Sequence, residues 1–327
     1  MSAYALRGAL LWPGGAAPVV ADGAVVVADG RVVAVGPAAA LSLPDRVVEG
    51  GWVGPAIVDA HVHLAFGSVE ELRRTGVVAV RDLGAPPESA REWRSERVAV
   101  AGPLLTAPGG YPSRSWGADG FAAFVASPEE ARQTVAALDV DVVKVALEPA
   151  GGQPVPPPEV VRAVVEAAHA RGLAVTAHAL TEAMVLRALD AGVDELCHTP
   201  VEPLSEATLA RVAASGVAVV STIETLGDDA ARNAAALHAA GVPLRYGTDL
   251  GNAGTFPGVD QRELDRLADA GLGRLGALRA ATEGAAAAPG LAGRWSGRLE
   301  AGGPACAVVL ERDPVAYGWS APLAVVG

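Results

Sequence analysis

The stretch G-P-A-I-V-D-A-H-V-H-L, residues 54–64, is apolar apart from Asp59, His61 and His63. A short apolar run with β-branched residues reads as a buried strand. Side chains alternate across a strand, so His61 and His63 share a face while Val62 turns the other way. Two imidazoles can then converge on one point. The chain holds 6 histidines among 327 residues, and the pair by itself fits either two ligands or two packed core histidines.

Upstream of this strand, A-L-R-G-A-L-L-W and A-V-V-V-A-D-G-R-V-V-A-V-G predict a small antiparallel sheet, with Asp29-Gly30 as a hairpin turn because Gly accepts positive φ. Downstream the pattern changes. Apolar β-type runs alternate with Ala/Glu/Arg-rich helical stretches, the signature of repeated β-α units. Eight runs lie near 57–64, 77–83, 98–106, 142–147, 173–177, 195–198, 217–222 and 244–247. Eight such strands predict an α/β fold of the (β/α)8 TIM-barrel class, of about 250 residues. Helices over 159–171 and 228–240 end at Gly172 and Gly241, where left-handed caps belong. A-C-A-V-V-L-E-R-D and P-L-A-V-V-G are strand-like again, so both chain ends are expected to pair into one small β-sandwich domain. The predicted division is residues 1–54 and 298–327 for the small domain and 55–297 for the barrel.

Composition narrows the function classes. Half the residues are apolar, yet no window reaches the roughly 18 apolar residues of a membrane span. M-S-A-Y-A-L-R-G lacks the order of a signal peptide, and Cys197 and Cys306 are too few for a disulfide framework. A cytoplasmic protein is expected, with no membrane partner. A formal charge of -12, without a Lys/Arg cluster, argues against a nucleic-acid partner.

His178 ends L-A-V-T-A-H and His198 ends E-L-C-H, so four of the six histidines close predicted strands at one rim. The other two, His169 and His238, each precede a helix-ending Gly by three residues, where the helix dipole suffices to explain them. Asp249 follows in Y-G-T-D, and Lys144 sits inside the apolar run D-V-V-K-V-A-L. A buried ammonium tends to lose its proton, and the neutral amine can add carbon dioxide to give an anionic carbamate. Such a set of nitrogen and carboxylate-type ligands suits zinc or a similar divalent ion. Two loops, 107–120 and 148–158, would emerge on the same face. In the first, Tyr111, Arg114 and Trp116 are candidates for substrate contact, the cation for a carboxylate and the rings for an apolar group.

Taken together, these residues resemble the amidohydrolase superfamily, in its imidazolonepropionase- and prolidase-like branch of metal-dependent hydrolases. G-P-A-I-V-D-A-H-V-H-L is similar to its strand-one signature and V-V-A-V-R-D-L-G to its second-strand segment. D-V-V-K-V-A-L, A-V-T-A-H-A, A-G-V-D-E-L-C-H, Y-G-T-D and R-E-L-D-R-L-A-D-A-G-L follow in the branch's order and spacing. The likeness covers nearly the whole chain. It implies an enzyme with two divalent ions, Zn(2+), that hydrolyses carbon–nitrogen bonds of a small-molecule substrate. His61, His63 and Asp249 would hold the more buried ion, His178 and His198 the more exposed one, and Lys144, as a CO2-derived carbamate, would bridge them. Asp249 would take a proton from a water activated by the metals and pass it to the leaving group.

The implied substrates are a dipeptide, an N-acyl amino acid or a cyclic amide, with a lactone or ester hydrolase close by. A mononuclear deaminase is the second enzyme reading; it fits less well, because Glu182 lies four residues after His178 rather than three. A catalytically silent scaffold is a third, disfavoured because every ligand position is kept. Self-association into a homo-oligomer is common among barrel enzymes of this kind. Two departures stand out: Cys306 occupies an acidic position of the family's tail, and Tyr111 stands where the branch often has a His.

Overall fold

The computed structural model describes residues 3–327. Valine alternation in the first fifty residues becomes β1 (Tyr4–Leu11), β2 (Val20–Ala28), β3 (Arg31–Pro37) and β4 (Val47–Pro55). Ala28 pairs with Arg31 across a two-residue turn in which Asp29 and Gly30 both have positive φ, 50° and 74°. That is the turn whose twist matches a right-handed hairpin.

The β-α region contributes β5 (Ile57–Val62), β6 (Val77–Asp82), β7 (Val98–Val100), β8 (Leu104–Thr106) and β9 (Ala122–Phe124). It continues through β10 (Val143–Leu147), β11 (Val175–Ala179), β12 (Glu195–Leu196), β13 (Ala218–Val220) and β14 (Leu244–Arg245). The chain ends with β15 (Ala307–Leu310) and β16 (Ala324–Val326).

All eight expected runs carry strand, and they pair in parallel as two sheets, β5-β6-β7 and β14-β13-β12-β11-β10-β8-β9. The single run expected at 98–106 is split. Gly102, at φ 64°, and Pro103 separate β7, which pairs with β6, from β8, which pairs with β10, so one strand serves both sheets in turn. Across the other seam, Ala60 N–H donates to the Tyr246 carbonyl, Asp249 N–H to that of His61, and His63 N–H to that of Leu250. The arrangement is TIM-barrel-like. β9, not anticipated from sequence, pairs with β8 beyond the 107–120 loop.

The two chain ends do meet. β15 pairs with β4 and β16, giving a six-stranded sheet of order β16-β15-β4-β1-β2-β3. Among the described residues the expected sandwich takes this one-sheet form, with Leu6, Leu11, Val25, Val27, Val53 and Val309 packed on one another. Cys306 is accommodated at its edge, where its carbonyl accepts from Ala56 N–H and burial pushes its thiol up to about 12. Helices Pro158–Ala170 and Asp228–Ala239 stand where expected, followed by Gly172 and Gly241 at φ 70° and 83°.

Between the strands lies a buried polar layer. Arg81, fully buried on β6, donates to the Ala60 carbonyl (2.8 Å), to the Pro289 carbonyl (3.2 Å) and to Glu195 Oε1 (2.5 Å). Thr176 Oγ1 donates to the same Glu195 oxygen at 3.0 Å, and Arg245 closes on the other. The layer ties strands β6, β11, β12 and β14 to one another.

A second buried carboxylate, Glu263, accepts the N–H groups of Ile223 (3.0 Å) and Glu224 (2.7 Å), capping the helical turn Ile223–Leu226. Burial pushes its carboxyl up from 4.5 to about 7, against the pull of its hydrogen bonds. A carboxyl raised on folding holds its proton in the folded chain after the unfolded chain has lost it. Its contribution to stability is therefore fullest below pH 4.5 and declines as pH rises to about 7. In Glu263→Gln that decline should flatten, which denaturant midpoints measured between those pH values would show; an unchanged slope would assign it to other groups.

Candidate metal centre

Five of the six expected ligands arrive from the C-terminal end of a strand or the turn after it, and Lys144 from near the start of β10. His61 lies on β5 and His63 follows it, Lys144 is on β10, His178 on β11, His198 two residues beyond β12, and Asp249 four beyond β14. All six are buried, none more than 6% exposed. The structure brings them together: His61 Nε2 is 3.2 Å and His63 Nε2 3.4 Å from Asp249 Oδ1, and His198 Nδ1 is 3.9 Å from Asp249 Oδ2. Lys144 Nζ lies 3.2 Å from His61 Nε2. Ring centroids of His61 and His198 are 4.5 Å apart, and those of His178 and His198 4.7 Å.

Hydrogen bonds on the far side of the rings decide what they offer. His61 Nδ1 is 2.8 Å from the Cys197 carbonyl, which can only accept, so Nδ1 carries the proton and Nε2 the lone pair. A weaker contact of His63 Nδ1 to the Gly84 carbonyl, at 3.4 Å, favours the same tautomer. Two lone pairs thus face one carboxylate oxygen. Acceptors gathered in this way repel unless a cation lies among them, and second partners that orient imidazoles are the usual support of a metal site. Electrostatics agree. Burial holds the His61 and His198 imidazolium forms well below their ordinary range and lowers His178 as well. Burial alone would raise Asp249, but its carboxyl is held well below the usual range wherever the surrounding His61, His198 and His63 carry positive charge. Neutral imidazoles around an ionised carboxylate are the protonation state that metal binding requires. His61, Cys197 and His198 also place their ligand atoms within 4.8 Å of one another. The Cys197 thiol is pushed by burial up to about 11, which leaves it protonated and a poor ligand beside Asp249.

Three carboxylates of the site went unassigned from sequence. Asp59 accepts from His61 N–H (3.0 Å), Thr248 N–H (3.1 Å) and Thr248 Oγ1 (2.6 Å), clamping β5 to the residue before Asp249. Burial pushes its carboxyl up to about 7 despite these donors. Asp82 accepts from Leu64 N–H (2.7 Å) and Gly84 N–H (3.1 Å), fixing the turn behind His63. Glu148 Oε2 lies 3.1 Å from His178 Nε2. The signal was present, since an acid inside an apolar strand must have a partner, but the partners are remote in sequence. His169 and His238 stay at helix ends away from the centre; His169 pairs with Asp194 at 2.9 Å.

Gly84 has no room for a side chain. A Cβ there would come within 2.7 Å of Leu104 Cδ1 and 2.9 Å of His63 Cε1. Gly84→Ala is accordingly expected to displace His63 and weaken metal retention about 10-fold or more, the scale seen when ligand-orienting contacts are lost. Competition against a chromogenic chelator would measure it, and unchanged affinity would remove His63 from the ligand set.

Above the centre opens a cavity of about 460 Å³. Tyr111 and Trp116 form one wall, their rings 5.0 Å from His178 and 4.8 Å from His63. Trp116 Nε1 donates to Tyr111 Oη at 3.1 Å, so the two hold each other. Arg114 is not brought to this wall. It is exposed, and the cavity is lined without it. An exposed guanidinium keeps its hydration, which a place against two aromatic rings and three histidines would have removed.

The sequence model of the Amidohydrolase family matches residues 52–326, from within β4 to the last residue of β16. The chain belongs to the amidohydrolase family. It is a metal-dependent hydrolase acting on carbon–nitrogen bonds. This amidohydrolase is 29% identical over 305 residues to an uncharacterized protein of Mycobacterium tuberculosis, across 78% of this chain and 77% of the relative. Among solved structures it is similar to a provisionally named prolidase from Bifidobacterium longum, 26% identical with a TM-score of 0.85 over 99% of this chain and 92% of that one. It is also similar to A. niger ochratoxinase, 18% identical with a TM-score of 0.82 over 99% and 94%. The latter likeness is one of fold.

Proposed function

We propose that this amidohydrolase is binuclear and cleaves an amide C–N bond at the floor of the cavity. In this reading His61, His63 and Asp249 hold one ion, His178 and His198 hold a second, and Lys144 bridges them as a carbamate; zinc suits such ligands. The observation that carries it is the convergence of the His61 and His63 lone-pair nitrogens on one oxygen of Asp249, with the His198 ring 3.9 Å from the other. When bound, divalent ions polarise a carbonyl and make a coordinated water acidic enough to react near neutral pH.

The protein's own groups supply the rest. Lys144 is buried with Nζ 3.2 Å from His61 Nε2; addition of carbon dioxide to its unprotonated amine would form the N–C bond of the carbamate and release one proton. Asp249 is positioned to accept a proton at a carboxylate oxygen and return it to the departing nitrogen. Its backbone supports this role: φ is 54°, a left-handed conformation that Asp tolerates, and the Asp59–Thr248 clamp fixes the preceding residue. Tyr111 and Trp116 cover the floor and limit water.

Glu182, the acid a deaminase would require near His178, is turned away. It is half-buried, accepts from Ser205 N–H at 2.8 Å, and does not line the cavity. Relatives named in the structural comparison include a Xaa-Pro dipeptidase, a molinate hydrolase and a phenylurea hydrolase, and amide cleavage is the reading that fits this centre best. Metal analysis of the purified, metal-replete chain should find two divalent ions per chain, with a carbamate resonance in carbon-13 spectra after exposure to labelled carbon dioxide. One ion per chain would remove the bridging role of Lys144 and leave the His61–His63–Asp249 site alone.

A further inference from the structure

The charges and hydrogen bonds of the cavity restrict what can enter it. Among the described lining residues the one cation is Lys144, which lies on the floor against His61 and is taken up by the proposed bridge. The charged side chains that remain are carboxylates, Glu148 beside His178 and Asp249 between the histidines. Several neutral donors of the wall are turned into the protein. Ser115 Oγ donates to the Pro112 carbonyl (3.1 Å), Thr225 Oγ1 to that of Thr248 (3.2 Å), Asn252 Nδ2 to that of Asp249 (3.0 Å), and Trp116 Nε1 to Tyr111 Oη (3.1 Å).

Away from the ions of the proposed centre, a substrate carboxylate would give up water and meet Glu148, with no cationic side chain among the described lining residues to receive it. Apolar surface, in contrast, is plentiful. Leu104, Leu180 and Leu226 complete the lining opposite and beside the Tyr111 and Trp116 rings, and a volume of about 460 Å³ admits an aromatic group with its amide. Arg114, the cation expected to meet a carboxylate, is exposed outside the lining.

We infer that the substrate is an uncharged amide carrying an aromatic or bulky apolar group, rather than a dipeptide or N-acyl amino acid with a free carboxylate beside the scissile bond. This inference rests on the reading of the cavity as an amide-hydrolysing site. It follows from the apolar wall and from the lack of a cation other than Lys144 among the described lining residues. Cleavage consumes one water, breaks the C–N bond, and yields a carboxylate and an amine.

The test is a matched pair, N-phenylacetylglycine and N-phenylacetyl-n-propylamine, given to the metal-replete full chain. Both release phenylacetate, which chromatography quantifies, and they differ in the carboxylate. The uncharged member should show a kcat/KM about 10-fold or more above the acid. Equal values, or a preference for the acid, would overturn the inference while leaving the amide-hydrolase reading intact. If neither is cleaved, that reading fails for this class of amide, and titration calorimetry on the same protein still decides the charge question. Tighter binding of the uncharged member supports it; tighter binding of the acid, or binding of neither, overturns it.

Discussion

Asp249→Asn is expected to lower kcat by about 1000-fold or more while the protein keeps most of its metal. The side chain keeps its size, and one oxygen can still face His61 and His63, which lie 3.2 and 3.4 Å from a single carboxylate oxygen in the native chain. What is lost is the acceptor for a proton and one negative charge at the centre. KM should move far less than kcat, because the cavity walls are untouched. Activity near the native level would sink the assignment of Asp249 as general base; loss of both metal and activity would reduce it to a ligand. The backbone guards against a trivial result, since Asn tolerates the left-handed conformation of residue 249 as well as Asp does.

Glu195→Ala should destabilise the fold by about 3–5 kcal/mol, because removing one partner of a buried ion pair leaves the other charge unpaired. Glu195 is fully buried and answers Arg81, Thr176 and Arg245 at once. Without it Arg81, also fully buried, retains two carbonyl acceptors and no counter-charge. Denaturant unfolding of the metal-free chain would measure the loss. A double variant, Arg81→Met with Glu195→Leu, separates charge from packing: it should recover most of the stability, as buried ion pairs replaced by apolar groups of similar size commonly do. A loss below about 1 kcal/mol in Glu195→Ala would mean that water reaches Arg81.

Much of the architecture was legible in the order of residues. Runs of Val, Ile and Ala at eight places marked the strands, because a parallel strand buried on both faces must be apolar throughout. Gly172 and Gly241 marked helix ends through the positive φ they adopt. The break at Gly102 was harder to see: an apolar run continues through it, and only the change of pairing partner shows that β7 and β8 belong to different ladders. β9 was hidden for a related reason, since a three-residue strand carries too short a pattern to stand out from a loop.

The six centre residues were legible because each is polar within an apolar run or at its end. Their supports were not. Asp59 was in plain view between Val58 and Ala60, yet its partner Thr248 lies 189 residues away. Glu148 belonged to a loop by composition and became a partner of His178 only when β10 and β11 were placed side by side. Arg114 shows the opposite error. A cation next to Tyr111 and Trp116 in sequence invited a shared role, but neighbours along a loop do not face the same way, and the rings point inward while the guanidinium stays in water.

The sequence by itself determined which side chains are available for metal chemistry and which strands deliver them, since strand periodicity and apolar context are local properties. Only the tertiary structure decided the tautomers of His61 and His63, the pairing of Arg81 with Glu195, and the lack of a carboxylate-binding cation among the described residues lining the cavity. The reason is physical. Hydrogen bonds, charge balance and cavity shape depend on distances of a few ångströms between residues far apart in the chain, and those distances exist only once the strands have been packed together.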